Sequence, residues 1–525
     1  MSWRPGVLRS PSPVLRTALV LLLAGCATVR QPAPVRFKIL QINDVYKIEG
    51  LENGQSGGLA RVRWLRQQLQ SDGTKVLLLH AGDLLYPSVM SKYLEAKPMI
   101  DVMNLLDGDG NAVDQDLLVG FGNHELDKSD DKVLLARLKD SQFTWVVSNT
   151  VYCHAPDACT GFRDLGGPVA EVMQVEVGGR KIGVMGFLYP LSKPYARSSN
   201  VIAAAREAVD ALAQAGTDVF IAITHEDMAD DVRLAQELPR IDIIIGGHDH
   251  LYTQQQVGRT WITKADADAK SAIVYDVTID GKGRAVTAPV RVALDSSIPK
   301  DPVVDARVQE WLGKLGDQLG GTVTLGTTKT LLEGVEPAVR GRETPLGNLL
   351  TDVARAQMGT DVAVLNGGSI RINDNIPPGP VTSYDMEGIF YYTNTLVAFP
   401  LTGAQLLDML RNAVSRADAG DGRFLQVSGL TFAYRAENGT FTVAPEDVQI
   451  GGKPLDLNAT YSAASIDYLY LHGPEDGYTL FADATRPPKL HPEREADFRK
   501  TVEAAIRAKG TVDVGIEGRI VRRVK

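Results

Sequence analysis

The chain has 525 residues, 55 Lys and Arg against 64 Asp and Glu, a formal net charge of -9, and 44% hydrophobic and 23% charged residues. This is the composition of a soluble globular protein, and at roughly 100–200 residues per unit it has room for two or three domains. The acidic balance argues against a nucleic-acid polymer as partner, and an anionic substrate must be drawn by local positive charge or metal.

Residues 1–25 read as an export signal: Arg4, Arg9 and Arg16, a short apolar run at Ala18–Leu23, then Leu23-Ala24-Gly25-Cys26. That tetrapeptide resembles the cleavage motif of bacterial lipoproteins. The resemblance implies cleavage before Cys26, a lipid on its thiol and, with Ala27 following, an outer-membrane anchor facing the periplasm. An ordinary signal peptide with a chance Cys is the alternative. Residues 26–36, with Gln31-Pro32-Ala33-Pro34, form a stiff tether, and no later apolar stretch is long enough to span a bilayer.

From 37 to 300, apolar runs predict strands at Phe37–Ile42, Val76–His80, Leu117–Phe121, Trp145–Ser148, Lys181–Phe187, Val219–Thr224 and Ile241–Ile245. Leu59, Val62, Leu65 and Leu69 recur at helical spacing between them, as do Val201, Ala205, Val209 and Leu212. The pattern is an α/β layered domain. Five of these seven strands end in a polar motif: Asn43-Asp44-Val45-Tyr46, Gly82-Asp83, Gly122-Asn123-His124-Glu125 with Asp127, Thr224-His225-Glu226, and Gly247-His248-Asp249-His250. Ligands gather outside the carboxyl ends of such strands. Together the motifs offer a mixed oxygen and nitrogen set large enough for two divalent metals, a standard device for cleaving phosphate esters. His80, His154, His472 and His491 lack this context and read as structural or surface residues. Cys153 and Cys159 read as a local disulfide in an oxidising compartment. A helix over 301–321, stopped by Gly320-Gly321, bridges to a second domain at 322–525 that mixes strands such as Asp361–Leu365 with helices such as Gly347–Met358.

The order of these motifs resembles the calcineurin-type metallophosphoesterases and, with the second half, the 5′-nucleotidase family. The resemblance implies a four-layer αββα sandwich followed by an α+β substrate-binding domain, with the hinge near the 301–319 helix. It implies two divalent metals, Zn, Mn or another transition metal, with Asp83 shared between them. Asp44 and His250 complete one site, and Asn123, His225 and His248 the other. His124 contacts the phosphate or leaving oxygen, and Asp127 orients it; alternatively Asp127 caps a helix beginning near Lys128. Tyr46 departs from the family's Asp-x-His. It is a filler, a phenolate ligand or a hydrogen-bond donor to phosphate. Gly82-Asp83-Leu84-Leu85-Tyr86 also resembles the Gly-Asp-x-x-Tyr of purple acid phosphatases, although packing of Tyr86 before Pro87 is the preferred reading.

In the second half, Arg340, the Asn366-Gly367-Gly368-Ser369-Ile370-Arg371 segment, Tyr392 with Asn394, and Asp476 match the family's nucleoside-binding positions. The resemblance assigns Arg340, Asn366, Arg371 and Asn394 to polar contacts, Tyr392 to stacking on the base and Asp476 to the ribose. The second stacking ring is Tyr468 or Tyr470. The function implied is metal-dependent hydrolysis of nucleoside 5′-phosphates. UDP-sugars or cyclic nucleotides on the same site are the alternative substrates, and a non-hydrolytic nucleotide-binding lipoprotein is the alternative class.

Overall fold

Alternation sorts the apolar runs of the first half into two cores. In Val35–Ile42, Phe37 and Ile39 point to one side and Leu40 and Ile42 to the other; in Val76–His80, Leu77 and Leu79 part from Val76 and Leu78 in the same way. Successive side chains on a strand face opposite ways, so a strand that is apolar throughout must be covered on both faces. The computed structural model describes residues 34–523 apart from 53, 109–111, 281–282, 438, 483–488 and 491–496. The export signal, Cys26, the tether as far as residue 33 and His491 lie outside the described residues.

The first sheet runs in the order Ala285–Val286, Ser271–Ile279, Val35–Ile42, Val76–His80, Asp114–Gly120, Phe143–Val146 and Val169–Ala170. It is parallel from Val35–Ile42 onward, and Ser271–Ile279 pairs antiparallel beside that strand. The second sheet runs Thr253–Val257, Thr260–Lys264, Ile243–Gly246, Val219–His225, Arg180–Leu188 and Val172–Val177. Phe37, Leu79, Val184, Ile221 and Ile245 fill the space between the sheets. Helices Leu59–Gln70, Lys97–Met103, Lys132–Asp140 and Pro302–Gln318 cover the outside of the first sheet, and Val201–Gln214 and Met228–Glu237 cover the second. The layers are therefore αββα. Cys153 and Cys159 sit opposite each other on a hairpin and are disulfide-bonded.

The helix Pro302–Gln318 starts where Asp301 accepts from the backbone N–H groups of Val303 and Val304, both at 3.0 Å, a cap worth about 1 kcal/mol. Its Val304, Val308 and Leu315 are buried in the first domain's core, with Trp311 and Leu312 packed beside them. The helix is anchored to the first domain. The chain then crosses at Gly320 and Gly321, with φ of +73° and +96° and open space where side chains would stand.

The second half has its own core around Leu346, Leu350, Val364, Leu401, Leu410 and Val427. Its main sheet runs Leu425–Ser428, Val362–Asn366, Thr460–Ile466, Leu396–Thr402 and Lys489–Leu490, with both parallel and antiparallel pairs. Helices Pro345–Met358 and Gly403–Val414 begin at Thr344 and Thr402, whose side chains accept from the third backbone N–H beyond. Among the described residues no helix is long and apolar enough to cross a membrane.

Candidate active site

The five motifs of the first domain converge at the carboxyl ends of both sheets. Asp44, Asp83, His248 and His250 all have positive φ, at 52°, 59°, 82° and 59°. Non-glycine residues pay roughly 1–3 kcal/mol each for such backbone, and strain of this kind clusters at functional sites. Three glycines let the segments meet. A Cβ on Gly122 would stand 2.1 Å from Asp83 Oδ1, one on Gly82 would stand 2.5 Å from the Gly122 N atom, and one on Gly247 would stand 2.3 Å from the Ala81 O atom.

Asp44, Asp83 and His225 are fully buried and offer ligand atoms that all lie within 4.8 Å of one another. His225 Nε2 is 3.1 Å from Asp83 Oδ2, while its Nδ1–H donates to the Ala81 carbonyl at 2.7 Å. That bond fixes the tautomer and aims Nε2 into the site, as it commonly does in metal-binding histidines. His225 Nε2 and Asn123 Oδ1 are buried without a hydrogen-bond partner. His250 Nε2 is 3.3 Å from Asp44 Oδ1, and the His248 ring packs on that of His225 at 5.2 Å. Burial alone would lower His225 and His250, but the carboxylates beside them prevail. Asp83 and Asp44 raise His225 to about 9, and Glu336 and Asp44 raise His250 to about 10. Burial, then neighbouring His225, push His248 down to about 4. Two buried carboxylates thus draw positive charge inward, and the orphaned His225 Nε2 faces Asp83. The residues fit a divalent cation, and the mixed donor set suits a transition metal.

Tyr46 points into this cluster. Its hydroxyl is 3.0 Å from Asp83 Oδ2, 3.3 Å from Asp44 Oδ1 and 2.9 Å from His250 Nε2. Burial, then the charges of Asp83 and Asp44, push its phenol well above the usual range. Tyr86, by contrast, is buried in the first domain's core with Lys128 over its ring, so packing describes it. His124 Nδ1 is 2.8 Å from Asp127 Oδ2. The next helix starts at Lys132, after Asp131, so Asp127 caps nothing there and faces the imidazole instead.

Three groups support the site, of which the sequence motifs contain only Glu125. Glu125 accepts backbone N–H bonds from Asp83, Leu84, Leu85 and Gly122 at 2.6–3.0 Å. Asp268 Oδ1 accepts those of Tyr46 and Lys47 at 2.8 and 2.9 Å. Lys264, fully buried, pairs with Asp249 and lies 3.2 Å from Asp231, which pins the turn between His248 and His250. A charged residue ending an apolar strand was the one available hint for Lys264.

Comparison with known proteins accounts for both halves of this arrangement. Residues 37–252 match the family model for calcineurin-like phosphoesterase, and 324–483 match that for the 5′-nucleotidase C-terminal domain. A snake venom 5′-nucleotidase from Naja atra is 25% identical over 92% of this chain and 98% of its own. A 5′-nucleotidase from Bos taurus is 26% identical over 82% and 80%. The solved structure of a 5′-nucleotidase precursor from Thermus thermophilus aligns with a TM-score of 0.76 at 25% identity, covering 93% of this chain and 99% of that one. The chain joins a calcineurin-like phosphoesterase domain to a 5′-nucleotidase C-terminal domain.

Within this 5′-nucleotidase frame, the second domain brings Arg371 beside the Asp44–Asp83–His225 cluster. Arg371 lies close enough for its charge to act on Tyr46, His124 and Tyr392. Arg340 pairs with Glu336, and Arg371 lies 3.6 Å from the same carboxylate. Tyr392 and Tyr468 are 47% and 43% exposed, and Tyr468 lies close enough to act on the Tyr392 phenol. Tyr470 instead packs on Phe399 and Phe481, ring centroids 5.7 and 5.2 Å away, at the edge of the second core. Of the two candidate stacking rings, only Tyr468 is thus presented to solvent beside Tyr392. Asn394 is nearly buried, and its amide points to the Tyr392 carbonyl at 3.4 Å. Asn366 ends its strand with a buried, unpartnered side-chain oxygen. Asp476 is held through its carbonyl by Asn412 at 2.9 Å.

Proposed function

We propose that this chain hydrolyses nucleoside 5′-phosphates, with Asp44, Tyr46, Asp83, Asn123, His225, His248 and His250 around two divalent cations. The observation that carries this reading is the meeting of the Asp44–Asp83–His225 cluster with Arg371 and Tyr392 of the other domain, in a chain that aligns with 5′-nucleotidases along nearly its whole length. When bound, the cations neutralise phosphate charge and acidify the attacking water.

The chain's own residues do the rest. Asp83, with His225 Nε2 at 3.1 Å and Tyr46 Oη at 3.0 Å from its Oδ2, would serve both cations, and its N–H and that of Leu84 are clamped by Glu125. His124 keeps one ring nitrogen on Asp127 and turns the other toward Asp83 Oδ2, 3.9 Å away. Burial works against its charged form, but Asp83 and Asp127 raise its pKa above 6.5. It is therefore set to give a proton to the departing nucleoside oxygen. Arg340 and Arg371 recognise anionic or carbonyl groups. Tyr392 and Tyr468 hold the base between two faces, Asn366 and Asn394 reach its edge, and Asp476 takes the ribose.

The lipoprotein signature supports attachment to a bacterial membrane through Cys26, with export to an oxidising compartment where the Cys153–Cys159 bridge persists. A panel of AMP, other nucleotides, UDP-glucose and cyclic AMP, each with added Mn²⁺ or Zn²⁺, tests the reading through phosphate release. AMP should be cleaved, and His124→Ala should lower kcat by about 10²–10⁴. No phosphate from any nucleoside 5′-phosphate, with metal bound, would reject it.

A further inference from the structure

One carboxylate spans the two domains at the site itself. Glu336 opens the short helix Glu336–Val339 of the second domain and is 5% exposed. One of its oxygens takes His250 Nδ1 of the first domain; the other takes Arg340 and stands 3.6 Å from Arg371. The second nitrogen of His250 faces Tyr46 Oη at 2.9 Å and Asp44 Oδ1 at 3.3 Å. His250 is therefore held between the candidate metal ligands and a residue of the other domain, and the same carboxylate neutralises the two substrate-facing arginines.

We infer that Glu336 is a positioning residue that couples metal retention at His250 to docking of the second domain. The inference rests on the reading of His250 as a ligand. A histidine that binds metal through one nitrogen depends on the acceptor at the other for orientation and basicity. Here that acceptor arrives only when the domains are docked. Coupling of this kind is reciprocal: metal on His250 favours docking, and docking favours metal. Other ties also cross the interface, among them Asn373 Nδ2 to Asp268 Oδ2 at 3.4 Å and the Glu52 N–H to Asp374 Oδ1 at 3.0 Å. Lys47 pairs with Asp374 at 2.9 Å, Tyr384 donates to Glu49 at 2.7 Å, and Lys92 pairs with Glu387 at 3.1 Å. They should keep the domains folded and associated when Glu336 is replaced.

The test is Mn²⁺ binding to the full-length protein by calorimetry, with the domain arrangement followed by small-angle scattering. In Glu336→Ala, one of the two bound ions should weaken by about 10- to 100-fold, and the other should hold. The scattering profile should also lose its response to Mn²⁺. Glu336→Gln keeps an acceptor for His250 without the charge, and its affinity should lie nearer wild type. In a His250→Ala background, Glu336→Ala should add almost nothing. Two ions bound at wild-type affinity by Glu336→Ala would overturn the inference alone. So would an equal loss of both, which marks general collapse. A wild-type protein that binds no Mn²⁺ or Zn²⁺ would overturn the inference together with the proposed function.

Discussion

Replacing Gly122 by Ala should disable the site while leaving the fold. The added methyl would stand 2.1 Å from Asp83 Oδ1 and 2.6 Å from the Asp83 N atom, so something must move by more than about 1 Å to reach ordinary contact. Gly122 cannot retreat easily, because its N–H is bonded to Glu125 at 2.6 Å. Asp83 is held on two sides as well, by its own N–H to Glu125 at 2.9 Å and by the His124 N–H on Oδ1 at 2.8 Å. The strain should fall on the Asp83 carboxylate, whose other oxygen is 3.1 Å from His225 Nε2. Overpacking of this size costs about 1–3 kcal/mol, a Tm loss of roughly 2–4 °C per kcal/mol in a domain of this size. A misplacement of about 1 Å costs about 10²-fold in rate. Phosphate release from AMP with saturating Mn²⁺ should therefore fall by about 10²-fold or more, against a modest change in Tm. Gly313→Ala is the control. It lies mid-helix in Pro302–Gln318 with open space at its Cβ, and it should be neutral or stabilise by about 0.5–1 kcal/mol. A Gly122→Ala enzyme with wild-type rate and full Mn²⁺ content would refute the argument that Asp83 is fixed by this contact.

Tyr468→Ala should raise KM for AMP with little change in Tm, whereas Tyr470→Ala should lower Tm with little change in KM; the reverse pattern would reassign the stacking ring. Tyr46→His places an imidazole among Asp44, Asp83 and His250, and it should slow metal loss to a chelator, followed by atomic absorption; faster loss would favour the tyrosine as a native ligand. At the far side of the second domain, burial works against the Asp352 carboxylate, but hydrogen bonds from Arg519 and Ser428 hold it below 3.8. A depressed carboxylate stabilises the fold above its unfolded pKa and loses that contribution as pH falls through the folded one. Asp352→Asn should cost on the order of 1 kcal/mol, with the same urea-midpoint deficit at pH 7 and pH 5 and a smaller one at pH 3.5. A deficit that changes between pH 7 and pH 5 would point to another group.

The sequence disclosed those parts of the site in which one short segment contains both the strand end and the ligand. Asp44, Asp83, Asn123, His225 and the His248–His250 pair each follow an apolar run directly, so strand termination and chemistry could be read in one place. Glu336 could not be read this way. It lies 86 residues from His250 within Glu-Pro-Ala-Val, and it acquires a role only because two domains meet there. Asp268, which clamps the Tyr46 backbone from 222 residues away, is hidden for the same reason. Tyr468 and Tyr470 show a subtler limit. Both lie on Asp467–His472, which is helical, and residues two apart on an α-helix project about 200° apart. Their spacing to Asp476 could not choose between them, because one must face the cleft if the other faces the core. The choice belongs to Phe399 and Phe481, which take Tyr470 and leave Tyr468 beside Tyr392. Local chemistry is thus legible from the chain, while contacts made by domain docking or helix rotation become visible only once the packing partners are in place.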